Sequence, residues 1–224
     1  MKKGKALLAI LLVSVLALAL CACGVKIGGE ETWEYTAEDK EATVQLFNDF
    51  FEKTFTNTNQ VVTVKSGEEQ VFVETIDGTS DHASYATTGA EVYAFINGDE
   101  YIYAMSADGS EYYMVSEEYY NSGYFAYKSY LDLFEMLPEE GLTYSCKVEG
   151  SKNGDEGTST LTLEIKNGED GSIAITASAK NDLVENIVLT KNEEGTTTTS
   201  TFDIVYGTAS VTVPDISDWY REEA

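Results

Sequence analysis

The chain has 224 residues, with 39 Asp and Glu against 14 Lys and Arg, a single histidine and a formal charge of −25. An excess of acid on this scale excludes nucleic acid as a partner, because that requires a basic face. It also sets the chain's own surface against an anionic membrane.

Lys2, Lys3 and Lys5 make a positive start, and Ala6 to Leu20 follow with no charge and only Ser14 polar. This is the pattern of an export signal, since a membrane span needs roughly 20 apolar residues to cross a ~30 Å core. Leu20-Cys21-Ala22-Cys23-Gly24 then resembles the bacterial lipobox. Cys23 is the acylated position, because at Cys21 the bulky Leu20 would occupy a small-residue site. The resemblance implies residues 1–22 as a cleaved signal peptide and a thioether diacylglycerol on Cys23. The membrane partner is reached through that lipid, on the outer face of the bacterial cytoplasmic membrane, with a Gram-positive host favoured. Two acyl chains at ~0.8 kcal/mol per buried CH₂ hold a protein stably. Losing the three lysines takes the charge to −28 and leaves 202 residues, enough for one domain.

Residues 23–35 read as the lipidated cysteine and a flexible tether, with Gly24, Gly28 and Gly29. The domain is expected over 36–217 and a C-terminal tail over 218–224. A helix opens the domain, with Thr36 as N-cap and Glu38 and Asp39 in its first turn. Val44, Phe47, Phe51 and Phe55 form its apolar stripe, broadened by Leu46 and Phe50.

From about residue 58 the apolar period drops to two. Turn signals recur at Ser66-Gly67, Asp77-Gly78, Asn97-Gly98, Asp108-Gly109, Asn153-Gly154, Asn167-Gly168, Asp170-Gly171 and Glu194-Gly195. This spacing predicts antiparallel strands. The first set is 60–65, 70–76, 82–88, 90–96, 100–106 and 111–115. The second is 142–149, 158–166, 172–179, 183–191, 197–206 and 209–213. Between the sets, Tyr127, Tyr130, Leu131, Phe134 and Leu137 predict a second helical piece ended by Pro138. In the later strands Leu161, Leu163 and Ile165, then Ile173, Ile175 and Ala177, then Phe202, Ile204 and Tyr206 alternate with polar residues. One dry and one wet face mean a sheet packed on one side, with the two helices as its cover.

Chemistry-bearing groups are few. Cys146 alternates with Tyr144 and Val148 as a small buried hydrophobe, and His82 stands in a polar stretch away from it. The acidic pairs Asp155-Glu156, Glu169-Asp170 and Glu193-Glu194 fall in turns and match no calcium loop. No phosphate loop, dinucleotide fingerprint, zinc spacing or nucleophile elbow occurs. The reading is a non-enzyme with no catalytic residue, metal or cofactor. Ten of the fifteen tyrosines lie between Tyr93 and Tyr130, and Tyr101 and Tyr103 share a strand face with Met105. Tyrosine suits ligand walls and interfaces, and equally half-buried strands.

Helix, strands, helical piece and strands behind a lipobox resemble the LolA/LppX-like lipoproteins. Local echoes are Phe95-Ile96-Asn97-Gly98-Asp99-Glu100-Tyr101-Ile102-Tyr103 and the run Thr201 to Gly207 followed by Val211-Thr212-Val213-Pro214. The resemblance implies an α+β, mainly β fold: a strongly curved antiparallel half-barrel with both helices on its concave side. It implies a carrier of lipid acyl chains, while the high negative charge by itself favours a monomer. Phe47 and Phe51 would line the cavity from the first helix and Leu131 and Phe134 from the second. Leu163, Ile175 and Ile204 would form the floor, and Tyr101 and Tyr103 a wall. The rival expectation is a surface binding or scaffold module with a packed core and a tyrosine-rich face. An open apolar cavity of several hundred Å³ separates the two.

Cys23→Ser is expected to abolish membrane attachment and acyl labelling, while Cys21→Ser leaves both intact. Fractionation after metabolic labelling with a fatty acid checks this, and label on the Cys23→Ser protein would refute the assignment.

Overall fold

The computed structural model describes residues 30–118, 127, 131, 141–168, 171–193, 195–213, 215 and 219–221. Cys23 and Phe134 lie outside them, as does the second helical piece apart from Tyr127 and Leu131.

The elements are β1 Glu30–Ala37, α1 Lys40–Phe55, β2 Asn59–Ser66, β3 Glu69–Asp77, β4 Ser80–Tyr85, β5 Glu91–Asn97, β6 Glu100–Ser106 and β7 Tyr113–Val115. After the central segment come β8 Leu142–Asn153, β9 Glu156–Asn167, β10 Gly171–Lys180, β11 Leu183–Glu193, β12 Thr196–Tyr206 and β13 Tyr220–Arg221. All the strands join one sheet in the order β1-β8-β9-β10-β11-β12-β2-β3-β4-β5-β6-β7-β13. Every described pairing is antiparallel except β7 with β13. The chain is therefore mainly β, a single antiparallel sheet with one described helix.

Four sequence expectations are corrected. The sheet is neither closed nor strongly curled, so the half-barrel is not formed. Strong curvature is built with bulges and kinks, and the described ladders shift register only at Val64/Lys65 and Ser178/Ala179. Second, residues 30–35 are not tether. They open β1, which pairs with β8 from Glu30↔Asn153 to Ala37↔Cys146. Third, Thr36 is consequently in strand and the N-cap is Asp39, whose carboxylate accepts from the Ala42 N–H at 2.9 Å. Fourth, 209–213 is irregular rather than strand, whereas the chain beyond it returns to the sheet as β13.

The turn chemistry largely holds. Gly67, Gly78, Gly98, Gly109, Gly154, Gly168 and Gly195 all take positive φ. Gly171 instead begins β10, where a Cβ would stand 2.9 Å from the Asn192 carbonyl. The β10–β11 turn uses Asn181 and Asp182, at φ 53° and 65°. These are among the few side chains that tolerate that region. Lys53 at the end of α1 donates to Asp182 Oδ2 at 2.5 Å across that turn.

α1 lies on the dry face formed by β8 to β12. Its buried positions are Thr43, Phe47, Phe51 and Thr54. Val44 and Phe55, expected in the stripe, are only half-buried. The offset has a polar cause. Thr54 Oγ1 accepts the Val184 N–H at 2.9 Å, and the Tyr206 hydroxyl donates to the Val184 carbonyl at 2.6 Å. The last turn of α1 is thereby pinned to β11. Phe51 sits centrally, with Phe47 at 4.6 Å, Phe55 at 5.2 Å and Phe50 at 5.4 Å between ring centroids.

Phe51→Ala is expected to cost ~3–5 kcal/mol, the range for a buried aromatic whose site cannot collapse. Val44→Ala should cost less than half as much. Thermal melts followed by circular dichroism would check the ratio.

Candidate functional site

The expected cavity residues converge, but on each other. Phe47, Phe51, Leu131, Leu163, Ile175 and Ile204 all belong to one buried cluster. Phe51, Leu163 and Ile175 have no accessible surface, and the other three have 2–4%. A side chain with no accessible surface borders no space that even a water molecule could enter. The floor and the α1 lining are therefore packed core. Tyr103 packs half-buried against the same cluster, while Tyr101 is 46% exposed at the end of the β5–β6 hairpin. There it pairs across the strands with Ile96, itself 51% exposed, and its hydroxyl donates to the Thr79 carbonyl at 2.7 Å.

A polar group of side chains lies inside this core. Glu74 and Gln60 are buried, on β3 and β2. Glu74 Oε2 accepts the Tyr127 N–H at 2.7 Å, and Gln60 Nε2 donates to the Tyr127 hydroxyl at 3.1 Å. Gln60 Oε1 has no hydrogen-bond partner among the described residues. Burial holds the Tyr127 hydroxyl well above its ordinary pKa, so it stays protonated. These contacts tie Tyr127 to β2 and β3.

A surface groove of about 450 Å³ crosses β1, β8 and β9. The rows Thr32–Ser151–Thr158 and Glu34–Glu149–Thr160 border it, in register. Between them runs the row Trp33–Gly150–Ser159. Lys147 bridges Glu34 at 3.1 Å and Glu149 at 2.8 Å. The groove is hydroxyl- and carboxylate-lined, which does not suit an acyl chain. Gly150 is needed for its shape: a Cβ there would stand 2.4 Å from Trp33 Cζ2 and 2.8 Å from the Thr158 carbonyl.

On the opposite face of β4 to β7 lies a second, smaller cluster: Tyr93, Phe95 and Ile102, packed by Tyr112, Met114, Val211, Val213 and Trp219. Glu91 Oε2 accepts the Tyr112 hydroxyl at 2.5 Å and the Tyr93 hydroxyl at 3.2 Å. Burial and that carboxylate push the Tyr112 hydroxyl up to about 12 and raise Tyr93 as well. Sequence reasoning assigned Trp219 to a tail and missed this cluster. The available signal was the unbroken apolar run Val92 to Ile96. An unbroken run marks a strand buried on both faces. Val92 and Ala94 indeed join the main core while Tyr93 and Phe95 join the second.

Cys146 is buried, and burial pushes its thiol up to about 11. No group of three or more metal-binding side chains occurs among the described residues, and no described helix is long and apolar enough to cross a membrane. No known protein family, no curated protein and no solved structure matches the chain.

Gly150→Ala should force Trp33 off the sheet. The expected result is a red-shifted Trp33 emission in a Trp219→Phe background, with a lower melting temperature.

Proposed function

We propose that the chain is an extracytoplasmic lipoprotein, anchored through diacylglycerol on Cys23, whose domain is a non-enzymatic binding or scaffold module with a packed core. One observation carries this reading: Phe51, Leu163 and Ile175, the centre of the expected lipid cavity, have no accessible surface. The carrier reading needs those side chains to face open space, and it rests on the resemblance to LolA/LppX-like proteins alone. The sheet, which is neither closed nor strongly curled, supports the same preference, because a carrier's concavity comes from strong curling.

A scaffold needs a partner face that is exposed without being needed for folding. Tyr101, Ile96 and Tyr113 are 46%, 51% and 45% exposed on the β5–β7 part of the sheet. Tyrosine presents apolar area with a hydrogen-bonding tip, the composition of protein interfaces. A partner protein or wall polymer fits this surface better than a lipid tail does. The lipid on Cys23 would hold the β1 edge of the sheet near the membrane, since β1 begins seven residues after the cysteine, and leave the β5–β7 part toward the opposite edge.

Native mass spectrometry of the protein released from its own host membrane tests the proposal. The expected mass is that of the polypeptide with its covalent lipid and nothing more, and a fluorescent phospholipid should not be taken up. A stoichiometric non-covalent lipid adduct would restore the carrier reading.

A further inference from the structure

The chain's one histidine sits at a junction. His82 in β4 lies opposite Tyr93 of β5, with its ring stacked on Tyr93 at 4.2 Å and 15°. Its Nε2 has no partner within hydrogen-bond distance among the described residues and stands 3.7 Å from Glu91 Oε2. That same oxygen accepts the hydroxyls of Tyr112 and Tyr93. The ring of Tyr112 stacks on Trp219 at 4.9 Å and 19°. Val211, Val213 and Trp219, the described residues that define the C-terminal strap, pack over this face. One carboxylate oxygen therefore lies between the imidazole and the rings that seat the strap.

We infer that His82 is a proton switch for the C-terminal strap. Neutral His82 leaves Glu91 to the two tyrosine hydroxyls, and Trp219 is seated on Tyr112. Protonated His82 competes for the same carboxylate oxygen, the Tyr112 hydroxyl loses its acceptor, and the strap loosens from this face.

The groups facing the ring agree with this. From β5 come Glu91 and Tyr93, and from the approach to β7 comes Tyr112. From β3, the register puts Thr75 beside His82, with Asp77 one pair along the same face. Asp81 and Ala83, the neighbours of His82 in β4, point to the other face. β6 brings Ala104 and Ser106 through their pairing with Tyr93 and Glu91. The strap brings valines and Trp219, and its described acid, Asp215, is exposed. Glu91 is thus the carboxylate a charged His82 would draw.

The direction follows from linkage. Burial lowers the His82 pKa from 6.5, outweighing the opposing pull of Glu91. The seated arrangement therefore binds fewer protons than the released one. Its stability is unaffected above 6.5 and weakens as pH falls from there toward the lowered value.

The test uses the full chain with Trp33→Phe, which leaves Trp219 as the sole tryptophan. Its emission and the far-ultraviolet circular dichroism are followed from about pH 7.5 to about pH 5, the range in which a histidine titrates. The expected result is a reversible red shift of Trp219 emission with a one-proton midpoint below 6.5, while the circular dichroism holds. In His82→Phe, which keeps a ring over Tyr93, or in His82→Gln, the shift should be lost. The inference is overturned if wild-type emission does not move, or if the circular dichroism falls with it. It is also overturned if the shift persists in whichever of the two variants keeps the wild-type dichroism.

Discussion

Among the described residues, the structure depends on how one wide sheet is covered by one helix and little else. Thirteen strands at ~4.8 Å spacing make a sheet roughly 55–60 Å across. The sixteen residues of α1 give a rod about 24 Å long and about 10 Å wide, so one helix can dry only part of one face. The sequence meets this constraint locally. Over β9 to β12 the uncovered face is threonine, serine and charge, and it stays wet. The covered face carries Leu161, Leu163, Ile175, Ile187 and Phe202, all without accessible surface. Over β4 to β7 the wet face gives way to a second apolar patch, and the returning C-terminal strap covers that patch. β5 is the point where both solutions meet, which is why it is buried on both sides.

The placement of α1 on the sheet also raises the question of position. Apolar packing is non-directional, and a phenylalanine stripe would accept several placements on a flat dry face. The polar contacts remove that freedom. Thr54 and Tyr206 tie the last turn of α1 to Val184 of β11. Lys53 reaches Asp182 one turn of chain away. Glu74 and Gln60 do the same for Tyr127, which adjoins the helix through Phe55 at 6.2 Å. Each buried group would be costly if left unmatched. Their matching therefore selects one arrangement rather than adding much net stability.

This division explains what was legible in the sequence. The strands could be read because Asn-Gly and Asp-Gly turns announce themselves, and because alternation in β9, β10 and β12 has a single cause, one dry face. α1 could be read from Phe47 and Phe51. Its start was misread because β1 runs through Thr36, a good cap residue whose backbone is already in the ladder with Lys147. β1 itself resisted reading: Glu30-Glu31-Thr32-Trp33-Glu34-Tyr35 looks like an acidic tether, and only its pairing with β8 makes it a strand. Thr54 could not be placed inside by hydropathy, since its burial depends on a hydrogen bond 130 residues away. Curvature was out of reach as well, because it follows from bulges that alternation does not encode. Trp219 failed for the same long-range reason, being part of a core whose buried members Tyr93, Phe95 and Ile102 lie in β5 and β6.

Tyrosine abundance illustrates why a compositional signal does not identify an interface. The fold distributes these residues among distinct tasks. Tyr127 and Tyr93 are buried anchors, at 0% and 5% exposure. Tyr206 and Tyr112 are struts whose hydroxyls join one element to another. Tyr103 fills space beside the main core. Changing any of these alters folding before it alters recognition, so none can report on a partner. On β5 to β7 the large side chains that keep much of their surface exposed are Tyr101, Tyr113 and Ile96. The surface proposed for recognition is therefore much narrower than the tyrosine-rich stretch implies. Tyr101, Ile96 and Tyr113 share the face of Tyr103 and Met105, and they stand toward the edge of the sheet opposite β1.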